Sequence, residues 1–132
     1  MTSGLTDAEK VAIGQSYADA TRAGDTVRIA ALTEPDAVVW HSFDERVVDR
    51  ATTERTTLWL RRVVPDITWD DVALEATAAG FVWQAVMRGT APGGPLRAHT
   101  CLVVTLSPAG RIVRTDEYVD SAQLRPLTVP AP

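Results

Sequence analysis

Apolar residues recur at helical spacing along the first half of the chain and at a spacing of two along the second. A helical beginning and a stranded remainder are therefore predicted. Residues 6 to 23 predict the first helix: Thr6 and Glu9 form a capping box, and Ile13, Tyr17 and Ala20 share one face. Gly24 stands where a left-handed residue ends a helix, and Asp25 can cap a short second helix through Leu32. Glu34-Pro35-Asp36 breaks the pattern, after which Ala37 to Phe43 reads as a β-branched and aromatic strand. A third helix is expected over about Thr52 to Val64, with Leu58, Trp59, Val63 and Val64 on its apolar side and Pro65 ending it.

Beyond Pro65 the period is two. Ile67 to Ala76 predicts a strand with a bulge at Asp70-Asp71. Phe81 to Thr90 alternates, with Phe81, Trp83, Ala85 and Met87 on one face and Val82, Gln84, Val86 and Arg88 on the other. Ala91-Pro92-Gly93-Gly94-Pro95 is a turn. Leu96 to Leu106 follows as a strand with Arg97, His99, Cys101 and Val103 on one face. After a turn at Ser107-Pro108-Ala109-Gly110, Arg111 to Val119 is the last strand. Asp120 then caps a closing turn, Ser121 to Leu124, with Gln123 as the reciprocal residue. Helices first and consecutive strands afterwards mean an α+β domain with an antiparallel meander. Residues 1–127 form one domain, and residues 128–132 read as a loose tail.

Composition narrows the class. At 132 residues there is material for one core, and 45% hydrophobic with 23% charged residues is ordinary for a globular protein. No apolar run approaches the ~20 residues that cross a bilayer, so no membrane partner is expected. The start, MTSGLTDAEK, has neither a basic nor an apolar segment, and a cytoplasmic location is expected. A net charge of −4 with dispersed basic residues disfavours nucleic acid as a partner. A single cysteine and two histidines far apart give no metal-ligand spacing, so no metal and no organic cofactor are expected. Phosphate-binding glycine loops, nucleophile elbows and HExxH are absent.

A few residues could carry chemistry. His41, in Val38-Val39-Trp40-His41-Ser42-Phe43, is an imidazole on an apolar strand: either an acid–base group or a structural histidine bonded to backbone. Glu117 shares a strand face with Val113, Thr115 and Val119, where desolvation would raise its pKa; if the opposite face is inward, Asp116 takes that place. Gln84 and His99 interrupt their own faces and could hold a ligand or face water. Tyr17 is a core residue or an oxyanion donor, the four tryptophans pack the core or stack on a ligand, and Cys101 is a small buried residue.

The order of elements, with Tyr17-Ala18-Asp19-Ala20-Thr21-Arg22-Ala23-Gly24-Asp25, Asp36-Ala37-Val38-Val39-Trp40-His41 and Gly110-Arg111-Ile112-Val113 running into Glu117-Tyr118-Val119-Asp120, resembles the nuclear transport factor 2-like superfamily. The superfamily includes ketosteroid isomerases, limonene epoxide hydrolases and SnoaL-type polyketide cyclases. The resemblance spans nearly the whole chain. It implies a cone: three N-terminal helices packed in a strongly curved antiparallel sheet enclosing a pocket. Tyr17 falls at the oxyanion-stabilising tyrosine of ketosteroid isomerases and His41 at their proton-shuttling carboxylate. Cys101-Leu102-Val103 replaces their second oxyanion acid. The Arg and Asp that epoxide hydrolases carry two apart become Gln84 and Val86, with Glu117 at the last aspartate.

The resemblance thus implies an acid–base enzyme that isomerises, dehydrates or cyclises a small apolar polyketide-, terpene- or steroid-like molecule. Its expected catalytic residues are His41, Glu117 and Tyr17, and its expected substrate-binding residues are Gln84, His99, Trp40, Trp59, Cys101 and Thr115. The alternative is a non-catalytic ligand-binding or accessory protein. The superfamily's habit of pairing through the outer sheet face implies a homodimer, with Phe81 and Trp83 as its interface.

Overall fold

The first two helices begin at the caps their sequence announces. In this computed structural model, which describes residues 4–128, α1 spans Asp7–Ala23 behind the Thr6–Glu9 capping box, whose two bonds measure 3.0 and 3.1 Å. Gly24 ends it at φ 64°, a left-handed conformation open to glycine without a Cβ penalty. In α2, Thr26–Ala31, the Asp25 side chain accepts from the Arg28 amide. α3 runs Arg50–Val63, two residues longer at its start than expected, because Asp49 caps it by accepting from the Thr52 amide at 2.8 Å.

The six strands are β1 (Thr33–His41), β2 (Val47–Asp49), β3 (Thr68–Ala76), β4 (Gly80–Ala91), β5 (Gly94–Leu106) and β6 (Ile112–Val119). They form one sheet in the order β2-β1-β6-β5-β4-β3. β3 to β6 make the predicted antiparallel meander. β1, however, joins β6 in parallel, so the sheet is mixed, and β2 turns back antiparallel on β1. Three residues carry no readable period, which is why β2 was not expected. Glu34-Pro35-Asp36 does not break β1: the register with β6 jumps from Thr33–Ile112 to Val38–Arg114, so Pro35 sits where no ladder donor is needed. The bulge in β3 falls between Asp71 and Ala73 and expels Val72, which is 63% exposed. The expected turn over residues 91–95 shrinks to Pro92-Gly93, because Ala91 pairs with Gly94 and Thr90 with Pro95.

Register fixes the faces. Leu74, Trp83, Leu102 and Glu117 form one row across β3 to β6, and Ala76, Phe81, Val104 and Thr115 form another on the same side. α1 packs on this inner face. A Cβ at Gly14 would stand 2.8 Å from Leu74 Cδ1 and 3.1 Å from Phe81, so the helix approaches the sheet through a residue with no side chain. Lys10, buried on α1, donates from Nζ to the carbonyls of Thr77 and Ala78 at 2.8 and 3.2 Å and ties the helix to the β3–β4 turn. The adjacent rows face outward: Ala73, Gln84, Cys101 and Tyr118, then Asp70, Val86 and His99.

Several expectations are corrected by this register. Phe81 and Trp83 are 0% and 1% exposed and form the core beneath α1, so they cannot be an outer interface. Gln84 and His99 are exposed on the outer side, and Cys101 stands beside Tyr118 there. Trp40 also leaves the inner face, meeting the Tyr118 ring edge-on at 5.3 Å between centroids. Alternation separates two faces without naming the inner one, and the burial of α1 against the bulkier set decides it. Beyond β6 come a 3-10 turn (Ser121–Leu124) and α4 (Arg125–Thr128). Thr128, expected to open the tail, thus closes a helix; residues 129–132 lie outside the described residues. Gln123 does not reciprocate the Asp120 cap; its Oε1 accepts from the His99 amide at 2.9 Å.

Phe81→Ala is expected to lower the unfolding free energy in urea by about 3–5 kcal/mol, as for other buried aromatics. Phe81→Glu is expected to abolish the folded far-ultraviolet circular dichroism, where an interface residue would yield a folded monomer instead.

Candidate active site

α1, α3, the inner sheet face and the C-terminal turn enclose a cavity of about 680 Å³, within the roughly 300–1,000 Å³ of small-molecule sites. Tyr17, Trp59, Trp69, Trp83 and Phe43 give it aromatic walls. Behind them Arg22 fixes the floor. Its Nε donates to the Trp69 carbonyl at 2.9 Å, its guanidinium pairs with Asp71 and lies 5.7 Å over the Trp83 ring, and the Trp83 indole donates to Asp71 at 2.7 Å. The α3 wall carries Thr53, Thr56 and Thr57. Their hydroxyl protons are committed to the backbone carbonyls of Asp49, Thr52 and Thr53, so they offer lone pairs to the cavity.

The polar centre lies on the β1–β6 seam. His41 and Glu117 are direct partners in the parallel register and share the inner face. The seam is extended past them by Ser42. Its amide donates to the Glu117 carbonyl at 2.9 Å, and its hydroxyl both accepts from the Val119 amide at 3.0 Å and donates to the Val119 carbonyl at 3.2 Å. Burial pushes the Glu117 carboxyl above its ordinary range, the His41 imidazole pulls the other way, and the Asp44 charge adds to the rise. Tyr17, reaching in from α1, is pushed up to about 12 by burial and then by the Glu117 charge, against the opposing bond from Thr21.

The His41 side chain is 14% exposed and stacks on Phe43 with centroids 4.7 Å apart and planes at 16°. Its Nδ1 is buried without a hydrogen-bond partner, and the Asp44 Oδ1 faces it at 3.5 Å. Tyr17, His41, Glu117, Trp59 and Thr115 of the expected set therefore meet at one cavity, while Gln84, His99, Trp40 and Cys101 do not. Phe43 and Asp44, expected only to lead out of the pocket mouth, and the α3 threonines, not expected at all, also line the cavity. The spacing of Asp44 three residues after His41, across a turn, was the available signal for the first two. Among the described residues, no three of His, Cys, Asp and Glu gather as metal ligands do. An imidazole and a carboxyl held side by side against a buried phenol can take a proton at one place and give one at another.

No protein-family model and no curated protein sequence matches the chain. Solved structures do. Wild-type IdmH from Streptomyces antibioticus, described as a candidate polyketide cyclase, is 20% identical with a TM-score of 0.77, over 91% of this chain and 99% of that one. AclR from Streptomyces galilaeus, a candidate hydroxylase, is 16% identical with a TM-score of 0.80, over 95% and 89%. An LEH-like epoxide hydrolase from M. tuberculosis is 15% identical with a TM-score of 0.73, over 92% and 90%. At such identities the likeness is one of architecture. The capped helices, the six-stranded mixed sheet and the cavity between them are the nuclear transport factor 2-like fold.

Proposed function

We propose that this chain is an enzyme that moves protons on a small, largely apolar organic molecule, isomerising, dehydrating or cyclising it with its own side chains. The observation that carries the reading is the pairing of His41 with Glu117 on the inner face of the β1–β6 seam. His41 acts as the base that takes a proton from an activated carbon. Glu117, whose carboxyl burial makes more reluctant to ionise, gives one to the oxygen where negative charge develops. The Tyr17 hydroxyl, equally averse to ionising, is suited to donate a hydrogen bond to that oxygen. Aromatic walls suit a flat polyketide-, terpene- or steroid-like skeleton, and the α3 lone pairs suit hydroxyl groups along its edge. The polyketide cyclase description attached to IdmH makes polyketide-like ketones the first compounds to assay.

With a compound that turns over, a bell-shaped pH–rate profile is expected. His41→Ala and Glu117→Gln are each expected to lower kcat/KM by about 10²–10⁴-fold while ligand binding persists. Parent-like turnover by both variants would exclude His41 and Glu117 as the acid–base pair.

Stability gives a check that needs no substrate. A carboxyl whose folded pKa is raised contributes stability that is complete below its unfolded value and disappears as pH rises through the folded one. Glu117→Gln is therefore expected to be more stable than the parent in urea at about pH 8, with the gap closing as pH falls towards the ordinary glutamate value of 4.5. A gap that widened on acidification would contradict the burial of this group.

A further inference from the structure

We propose that Asp44 is the positioning residue of His41, keeping the proton of the neutral imidazole on Nδ1 so that Nε2 is the nitrogen left to accept one in the cavity. The inference rests on reading His41 as the base and deepens it. Four observations carry it. The Nδ1 atom is buried with no hydrogen-bond partner, and the Asp44 Oδ1 faces it at 3.5 Å. A small rotation of either side chain closes that gap to a hydrogen bond, as catalytic contacts commonly do when substrate binds. Asp44 is itself held in place, since the same Oδ1 accepts from the Arg46 amide at 3.0 Å while the His41 amide donates to the Arg46 carbonyl at 3.0 Å. This turn is bought with strain: Glu45 sits at φ 54°, the one left-handed residue other than glycine among the described residues. Phe43, stacked on the ring with centroids 4.7 Å apart, restrains the imidazole plane in which Nδ1 meets the carboxylate.

Which ring nitrogen carries the proton is set by the bond that the other nitrogen or the proton itself finds. A free neutral imidazole favours the proton on Nε2, and a carboxylate against Nδ1 reverses that preference. The other ionisable or charged groups facing the ring's surroundings are Glu117 from β6, Arg46 from the same turn and Tyr17 from α1. None of them addresses Nδ1 as Asp44 does.

The test is nitrogen NMR of the protein with labelled histidine, in the neutral form of the ring. The parent is expected to carry the His41 proton on Nδ1. Asp44→Ser and Asp44→Ala are expected to move it to Nε2; serine retains a hydroxyl that can hold the turn, so loss of the turn and loss of the carboxylate are told apart. Asp44→Asn, which keeps the same oxygen, is expected to retain the parent tautomer. On a substrate that turns over, Asp44→Ser is expected to lower kcat by up to about a hundredfold with little change in KM, the cost of a misplaced base. A parent ring protonated on Nε2, a tautomer unchanged in Asp44→Ser, or an unchanged kcat would overturn the proposal. The tautomer is read without substrate, so its failure leaves the proton-transfer reading standing, and failure of turnover leaves the tautomer result standing.

Discussion

The parallel pairing of β1 with β6 is the constraint on which the rest depends. Parallel neighbours cannot be joined by a tight turn, so the chain between them must travel. Here it travels as β2, α3 and the meander from β3 to β5, which supply the other walls of the cavity. The seam therefore does two things together. It closes the architecture, and it sets an imidazole and a carboxyl side by side on the face that the helices cover. The buried environment that makes Glu117 reluctant to ionise follows from the same closure.

The hollow persists because the residues around it are held by bonds that a ligand need not disturb. Arg22 binds the Trp69 carbonyl, Asp71 and the Trp83 face, which fixes two of the aromatic walls from behind. On the opposite wall the threonines of α3 are satisfied within their own helix. α1 is held on the sheet beside the hollow by Gly14, which lets it rest on Leu74 and Phe81, and by the bond from Lys10 to the Thr77 carbonyl. A preformed, aromatic-walled space of this kind can take a small molecule without first ordering the protein.

Local chemistry was the legible part of the sequence. Thr6, Glu9, Gly24 and Asp25 announced their caps because capping depends on neighbours a few residues away, and the meander followed from strand period and turn residues, while the bulge expected at Asp70-Asp71 falls at Val72 instead. The site was legible where two long-range facts happened to agree, at Tyr17, His41 and Glu117. It was illegible at Gln84 and His99. A polar residue on an apolar strand looks the same whether it points into a cavity or out to water, and only the register of β5, pairing Leu102 with Glu117, separates them. Asp44 was illegible for a different reason: its meaning lies in a backbone turn around Glu45 that no periodicity describes.

The seam also has a bearing on how the molecule comes into being. His41 and Glu117 are far apart along the chain, and the C-terminal turn and α4 add Leu124 and Leu127 to the same hollow. Contacts of such sequence separation form late, after the loops between them have lost their freedom. The cavity is thus complete only in the finished molecule: a chain that stops before β6 lacks Glu117, Leu124 and Leu127 and leaves His41 without its neighbour across the seam.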